Sequence, residues 1–154
     1  MILFRLYDGI ADHFPIRRME WLMAVPAGLL SIGLTIQPDM FEVSPSFAIL
    51  KAWANESTWA ALCFALCCVR LLALTINGTF KRFKWSPAIR AAASLFGAFL
   101  WAEVTLGFVV SFLTGEGAFS AVAAWGTLSV AESMNVVQTW GDLKQSLRGE
   151  GKNA

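Results

Sequence analysis

The sequence predicts an all-α fold: a four-helix transmembrane bundle with both termini in the cytoplasm. Short interfacial helices are expected before span 1 and between spans 1 and 2. Composition is the first observation behind this. Of the 154 residues, 56% are hydrophobic and 15% charged, against about 45 to 50% and about 25% in a soluble domain. The second is that four runs, Trp21 to Gln37, Thr58 to Asn77, Ala88 to Leu113 and Ala118 to Trp140, are apolar enough to span a bilayer. About 20 residues rising ~1.5 Å each cross a hydrocarbon core of roughly 30 Å, so the first run is short for the task and the third long enough to tilt. The third is the distribution of charge between the runs. Helices follow because a spanning backbone must satisfy itself in lipid, and the runs lack the period-two alternation of a barrel.

Ahead of the first span, Leu3, Leu6, Tyr7, Ile10, Ala11 and Phe14 recur at helical spacing, with Arg5, Asp8 and Asp12 opposite. This pattern predicts a short helix in the inner interface that Pro15 ends. A signal peptide with Trp21 to Gln37 as its apolar core is the rival reading, but no small-residue cleavage site follows it. Pro26 is expected to kink the first span, as is ordinary in membrane helices. Between spans 1 and 2, Ser44 can cap a second interfacial helix, Pro45 can take its first position, and Phe47, Leu50, Trp53 and Ala54 share a face.

Orientation comes from the basic residues. Arg5, Arg17 and Arg18 precede the first span. Lys81, Arg82 and Lys84 fill the middle loop, with Arg90 just beyond, and Lys144, Arg148 and Lys152 lie in a flexible tail from about 142 to 154. The loop from Pro38 to Ser57 has Lys51 against Asp39, Glu42 and Glu56, and the turn near Gly115 has Glu116. The positive-inside rule therefore places both termini of a multi-pass protein in the cytoplasm. Trp21, Trp85 and Trp140 at the inner boundaries, with Trp53 and Trp59 near the outer one, form matching aromatic belts. No repeat or low-complexity segment divides residues 1–154, which read as one domain.

Three ionisable residues stand within the spans: Arg70 in the second, Glu103 in the third and Glu132 in the fourth. A charge in the hydrocarbon costs about 2.5 kcal/mol or more, so such residues face the bundle interior and pair. Counted from Asn77 and Trp140, Arg70 and Glu132 both lie roughly 10 to 12 Å from the inner boundary, which predicts a buried ion pair between them. Glu103, beyond the middle of its helix toward the outer side, is left over. It is expected either to titrate or to hydrogen-bond at a helix or protomer interface. Ser129, Glu132, Asn135 and Thr139 are spaced three or four apart on the fourth span, and Cys63, Cys67, Arg70, Leu74 and Asn77 share a face of the second. These faces should pack as an interior polar stripe. Small residues at Ala93 and Gly97, and at Ser94, Ala98 and Ala102, give the third span ridges for close approach.

Searches for chemistry find nothing. There is no glycine-rich phosphate loop, no His-Glu-x-x-His and no Gly-x-Ser-x-Gly, and His13 stands in the N-terminal amphipathic segment without a carboxylate partner that spacing can place. No enzyme activity, cofactor or metal site is expected. Cys63, Cys67 and Cys68 share one apolar run with neither a Cys-x-x-Cys pair nor a nearby histidine, so they read as small packing residues. Nucleic-acid binding would need basic residues clustered on an exposed face, whereas here they flank the spans. Disorder, a collagenous repeat and a disulfide-rich scaffold are excluded by composition. The basic tail adds attraction to anionic lipids.

The strings from Arg5 to Trp21 (RLYDGIADHFPIRRMEW) and from Val69 to Thr79 (VRLLALTINGT), followed by Ser86-Pro-Ala-Ile-Arg90, resemble small four-span membrane proteins of uncharacterised function from alphaproteobacterial tailed phages and prophages. The resemblance covers most of the chain. It implies a viral or prophage origin and supplies no catalytic residue. The function it leads us to expect is a holin-like protein that oligomerises in the bacterial inner membrane, with lipid, further copies of itself and other phage proteins as partners. The alternatives are a non-conducting structural or interaction protein of a phage assembly, and a small ion channel or proton-coupled transporter using Glu103.

Overall fold

The computed structural model describes residues 2–79 and 85–150, without the side chains of residues 2–9, 12, 13, 77–79, 149 and 150. The expectations for the amphipathic N-terminal face, His13, Asn77, the Lys81 to Lys84 loop and Lys152 therefore lie outside the described residues or side chains. Every element described is helical: α1 Ile2–Ile36, α2 Met40–Val43, a 3-10 turn Pro45–Phe47, α3 Ala48–Trp53, α4 Glu56–Thr79, α5 Ser86–Leu113 and α6 Phe119–Glu150.

Three stretches are long and apolar enough to cross a membrane: Phe14–Ile36, Glu56–Ile76 and Ser86–Leu113. Residues 118–140, read as a fourth span, do not join this set, because Ser129, Glu132, Ser133, Asn135 and Gln138 dilute the apolarity of α6. The tail read as flexible from about 142 is instead helical as far as Glu150 and continues α6 without a break.

The N-terminal helix and the first span form one element with a single non-helical residue, Arg17, at φ −116° and ψ 17°. Pro15 does not end the helix. The helix passes through Pro15 before breaking two residues later, and Pro26 produces no departure from helical dihedrals.

The bundle is built as two hairpins. α1 packs along α4, α5 packs along α6, and the pairs meet mainly through α4 and α5, with a smaller contact between α1 and α6. Ser31 Oγ donates to the Ala60 carbonyl at 2.8 Å across the first hairpin, and the Thr105 and Ser129 hydroxyls lie 2.8 Å apart across the second. Between the hairpins, Ser86 Oγ donates to the Ala73 carbonyl at 3.3 Å, which brings these residues to one level. Seventeen residues onward from Ser86 is Glu103, and seventeen back from Ala73 is Glu56, where α4 begins. Leu113 lies ten residues further, so α5 overshoots α4 by about 15 Å at ~1.5 Å per residue.

The segment from α2 to α3 fills that step. Expected as an interfacial helix, it is a 3-10 turn and a short helix folded onto α5, with Phe41, Phe47 and Leu50 buried. Pro45 takes its first turn, but the Ser44 side chain makes no capping bond, and Trp53 faces outward with its ring edge-on to Phe99. The apolar area these rings bury holds the segment in place. Glu56 accepts the Phe41 backbone N–H at 3.1 Å, and Trp59 Nε1 donates to the Leu50 carbonyl at 2.9 Å. Five aromatic rings, Phe41, Phe47, Phe108, Trp125 and Trp101, follow one another at centroid distances of 5.5 to 5.7 Å and close the loop end of the interior.

Gly107 makes this docking possible. A Cβ at that position would collide with the Ser46 carbonyl oxygen, whereas one at Gly126 would meet Thr105 Cγ2 at an ordinary 3.8 Å. Gly107→Ala should therefore lower stability by about 1 to 3 kcal/mol, the usual range for overpacking. Gly126→Ala should not lower it and should gain up to about 1 kcal/mol from helix propensity. Thermal unfolding of the two variants in detergent checks both.

Candidate functional site

The interior chemistry is concentrated on two arginines. Arg70 of α4 is 3% exposed and Glu132 of α6 is fully buried. Arg70 Nη1 donates to Glu132 Oε2 at 2.9 Å, and Nη2 donates both to Glu132 Oε1 and to the Ala93 carbonyl of α5 at 3.2 Å. The planar guanidinium thus meets the carboxylate along two parallel bonds, the strongest geometry available to the pair. Gly97 opens the room: a Cβ there would lie 2.9 Å from Glu132 Cδ and 3.1 Å from Arg70 Nη2.

The second centre is Arg90 of α5, 1% exposed. Its Nε donates to Glu20 Oε2 at 2.8 Å, Nη2 to the other oxygen of Glu20, and Nη1 to Asp142 Oδ2 at 2.9 Å. Asp142 Oδ2 also stands 3.6 Å from Arg17 Nη2. One guanidinium therefore ties α1, α5 and α6 together.

The two arginines start from almost the same level, since Arg70 is three residues before Ala73 and Arg90 four after Ser86. Helical side chains lean toward the N-terminus of their own helix. α4 begins at the loop end of the bundle and α5 at the opposite end, so the two guanidiniums diverge and reach different carboxylates. The antiparallel arrangement separates two like charges that a parallel one would bring together.

Along α6, Ser129, Glu132, Asn135, Thr139 and Asp142 follow at intervals of three or four and link the two centres in one polar column. Glu132, Asn135 and Thr139 are completely buried. Thr139 Oγ1 donates to the Asn135 carbonyl at 2.8 Å, and Asn135 Nδ2 reaches the Met19 carbonyl of α1 at 3.5 Å while its Oδ1 has no partner.

Glu103 is apart from this column. It is partly buried, has no ion pair or hydrogen bond among the described residues, and stands one turn from Phe99 and one from Gly107, along the stripe of α5 that meets Trp53 and Ser46. Level with Glu56, it lies where α4 starts rather than deep between the helices. No group of three or more His, Cys, Asp or Glu suited to a metal ion occurs among the described residues. Cys63, Cys67 and Cys68 are free thiols on α4, the first fully buried in the core.

Sequence reasoning passed over Glu20, Arg90 and Asp142. By sequence Arg90 reads as one of the topology-setting charges of the preceding loop, although the apolar run that begins at Ala88 already contains it. Glu20 and Asp142 carried no pattern of their own, and only the tertiary fold shows that both serve one arginine.

The two centres can bind charge and lock helices together. Glu132→Gln leaves the Arg70 guanidinium buried without its counter-charge, and should lower unfolding free energy by about 3 to 5 kcal/mol. The double variant Arg70→Met with Glu132→Leu should recover most of that loss, because apolar residues remove both desolvation costs. Unfolding by denaturing detergent across this cycle measures both effects. No family model, curated protein or solved structure matches the chain.

Proposed function

We propose that this chain is a multi-pass protein of the bacterial inner membrane, phage-derived and holin-like, that acts as an assembly in which any conducting path runs between copies. The observation that carries this reading is the closure of the single copy. Arg70, Arg90, Glu20 and Glu132 are at most 3% exposed, and each is matched to an opposite charge. One end of the interior is sealed by the ring series from Phe41 to Trp101. A protomer packed in this way leaves none of these four charges free to line a path for water.

The four-span topology with both termini in the cytoplasm belongs to this proposal. α6 has one face against α5, while Thr127, Val130, Met134 and Val137 are exposed on the other. Its interior face spends several positions on polar groups, so a helix of this kind gains from lying beside a second copy as well as beside α5. A non-conducting role, as an anchor or interaction partner for other phage proteins, rests on the same closure and differs only in what assembled copies do. The transporter reading rests on Glu103 alone, which stands outside the polar column that joins the two arginine centres.

Expression in a bacterial host with the membrane potential followed continuously separates these readings. Abrupt, late depolarisation, with lysis when an endolysin is supplied, is the expected outcome. A potential that holds at high expression refutes the holin-like reading and leaves the anchoring one. Steady conductance that depends on pH and is lost in Glu103→Gln would establish a channel or transporter instead.

A further inference from the structure

The break in α1 lies in an unusual place. Proline disturbs the turn before it, through its clash with the carbonyl four residues back and the restriction on the preceding residue. For Pro15 that is the stretch from Ala11 to Phe14, yet the non-helical residue is Arg17. Pro26 in the same element provides an internal comparison, since the helix runs through it with helical dihedrals. Proline alone does not account for the bend.

What does coincide with the bend is a set of contacts from α6. Gln138 Nε2 donates to the Ile16 carbonyl at 3.0 Å, the residue before the break. Asn135 Nδ2 reaches the Met19 carbonyl at 3.5 Å, two residues after it. Arg17 turns its guanidinium toward Asp142, with Nη2 at 3.6 Å from Oδ2, and Arg90 joins that same Asp142 to Glu20 of α1. Side chains that insert into the carbonyl ladder are a recognised cause of sharp bends. Here two amides approach main-chain carbonyls on either side of one residue, and a carboxylate holds that residue's side chain.

We propose that α6 clasps α1 at this point: Asn135, Gln138 and Asp142, through Met19, Ile16 and Arg17, hold Arg17 off the helical path. They thereby set the angle between the arm before Arg17 and the membrane-crossing part of α1. The arm is then a pivoting element, and loosening α6 at three side chains is sufficient to release it. This inference stands independently of the holin-like reading.

The test uses the full chain in lipid nanodiscs, with Cys63, Cys67 and Cys68 replaced by Ala. Spin labels go at Ala11→Cys on the arm and Leu147→Cys on α6, both exposed positions. A control pair at Ile32→Cys and Val110→Cys, also exposed, reports on the bundle. Distances are read by double electron–electron resonance. The clasped protein should give one narrow arm distance, which shifts and broadens in Gln138→Ala with Asp142→Asn while the control pair stays fixed. Pro15→Ala should keep the narrow distance. If the control pair moves in the double variant, Gln138→Ala alone decides, since it leaves both arginine centres intact. An arm distance unchanged on removal of the clasp, or lost in Pro15→Ala with the clasp present, overturns the proposal.

Discussion

A guanidinium does not give up its proton, so an arginine among apolar helices must be met by negative charge wherever the fold leaves it. Arg70 and Arg90 impose that condition on four helices. Each receives a carboxylate in parallel double bonding, Glu132 for one and Glu20 for the other, and Asp142 completes the second. Other features follow from meeting this demand. Gly97 lacks a side chain where Glu132 and Arg70 need the volume. α6 commits its inner face to polar residues and so falls below the apolarity of the other long helices. Replacing such ion pairs by apolar groups is often neutral or even stabilising, so the pairs are weak evidence of stability in themselves.

Apolar runs and ionisable residues inside them were the parts of the architecture legible in the sequence. The three long apolar helices fall where composition places them, because hydropathy over some twenty residues is a strong signal. Arg70 and Glu132 could be matched by counting depth from helix ends, and in the structure they meet. Three other features resisted. The fold of residues 38–55 depends on a step between the hairpins that no local pattern encodes, so Phe47 and Leu50, which alone suggest an interfacial helix, turn inward against α5. The bend at Arg17 depends on side chains more than a hundred residues away, and proline drew attention to the wrong positions. The second arginine centre is the third, since Glu20 and Asp142 meet Arg90 across 70 and 52 residues of chain.

The step itself reflects an offset more than a difference in length. α5 carries 28 residues and α4 carries 24, but α4 also runs on from Ala73 to Thr79 past the level of Ser86, so the two helices are slid against each other. The surplus of α5 and α6 at the loop end would stand uncovered on one side. Folding the connection between α1 and α4 back onto it supplies Phe41, Phe47 and Leu50 as cover, at the cost of a glycine at 107 and a main-chain carbonyl pressed against it. A bilayer around this bundle meets two hairpins of different reach, a mismatch it can absorb by tilt or by a local change in thickness.

The separation of the charged partners along the chain has a consequence for synthesis. Glu132 lies 62 residues after Arg70, and Arg90 lies 70 after Glu20. A chain emerging from the ribosome N-terminus first presents Glu20 and then Arg70 long before either partner exists. Both must wait with their charges held at the membrane surface, in the insertion machinery, or wetted by water. Only the arrival of α6 brings Glu132 and Asp142, so the second hairpin completes the first, and the bundle cannot become a single unit before both have been made.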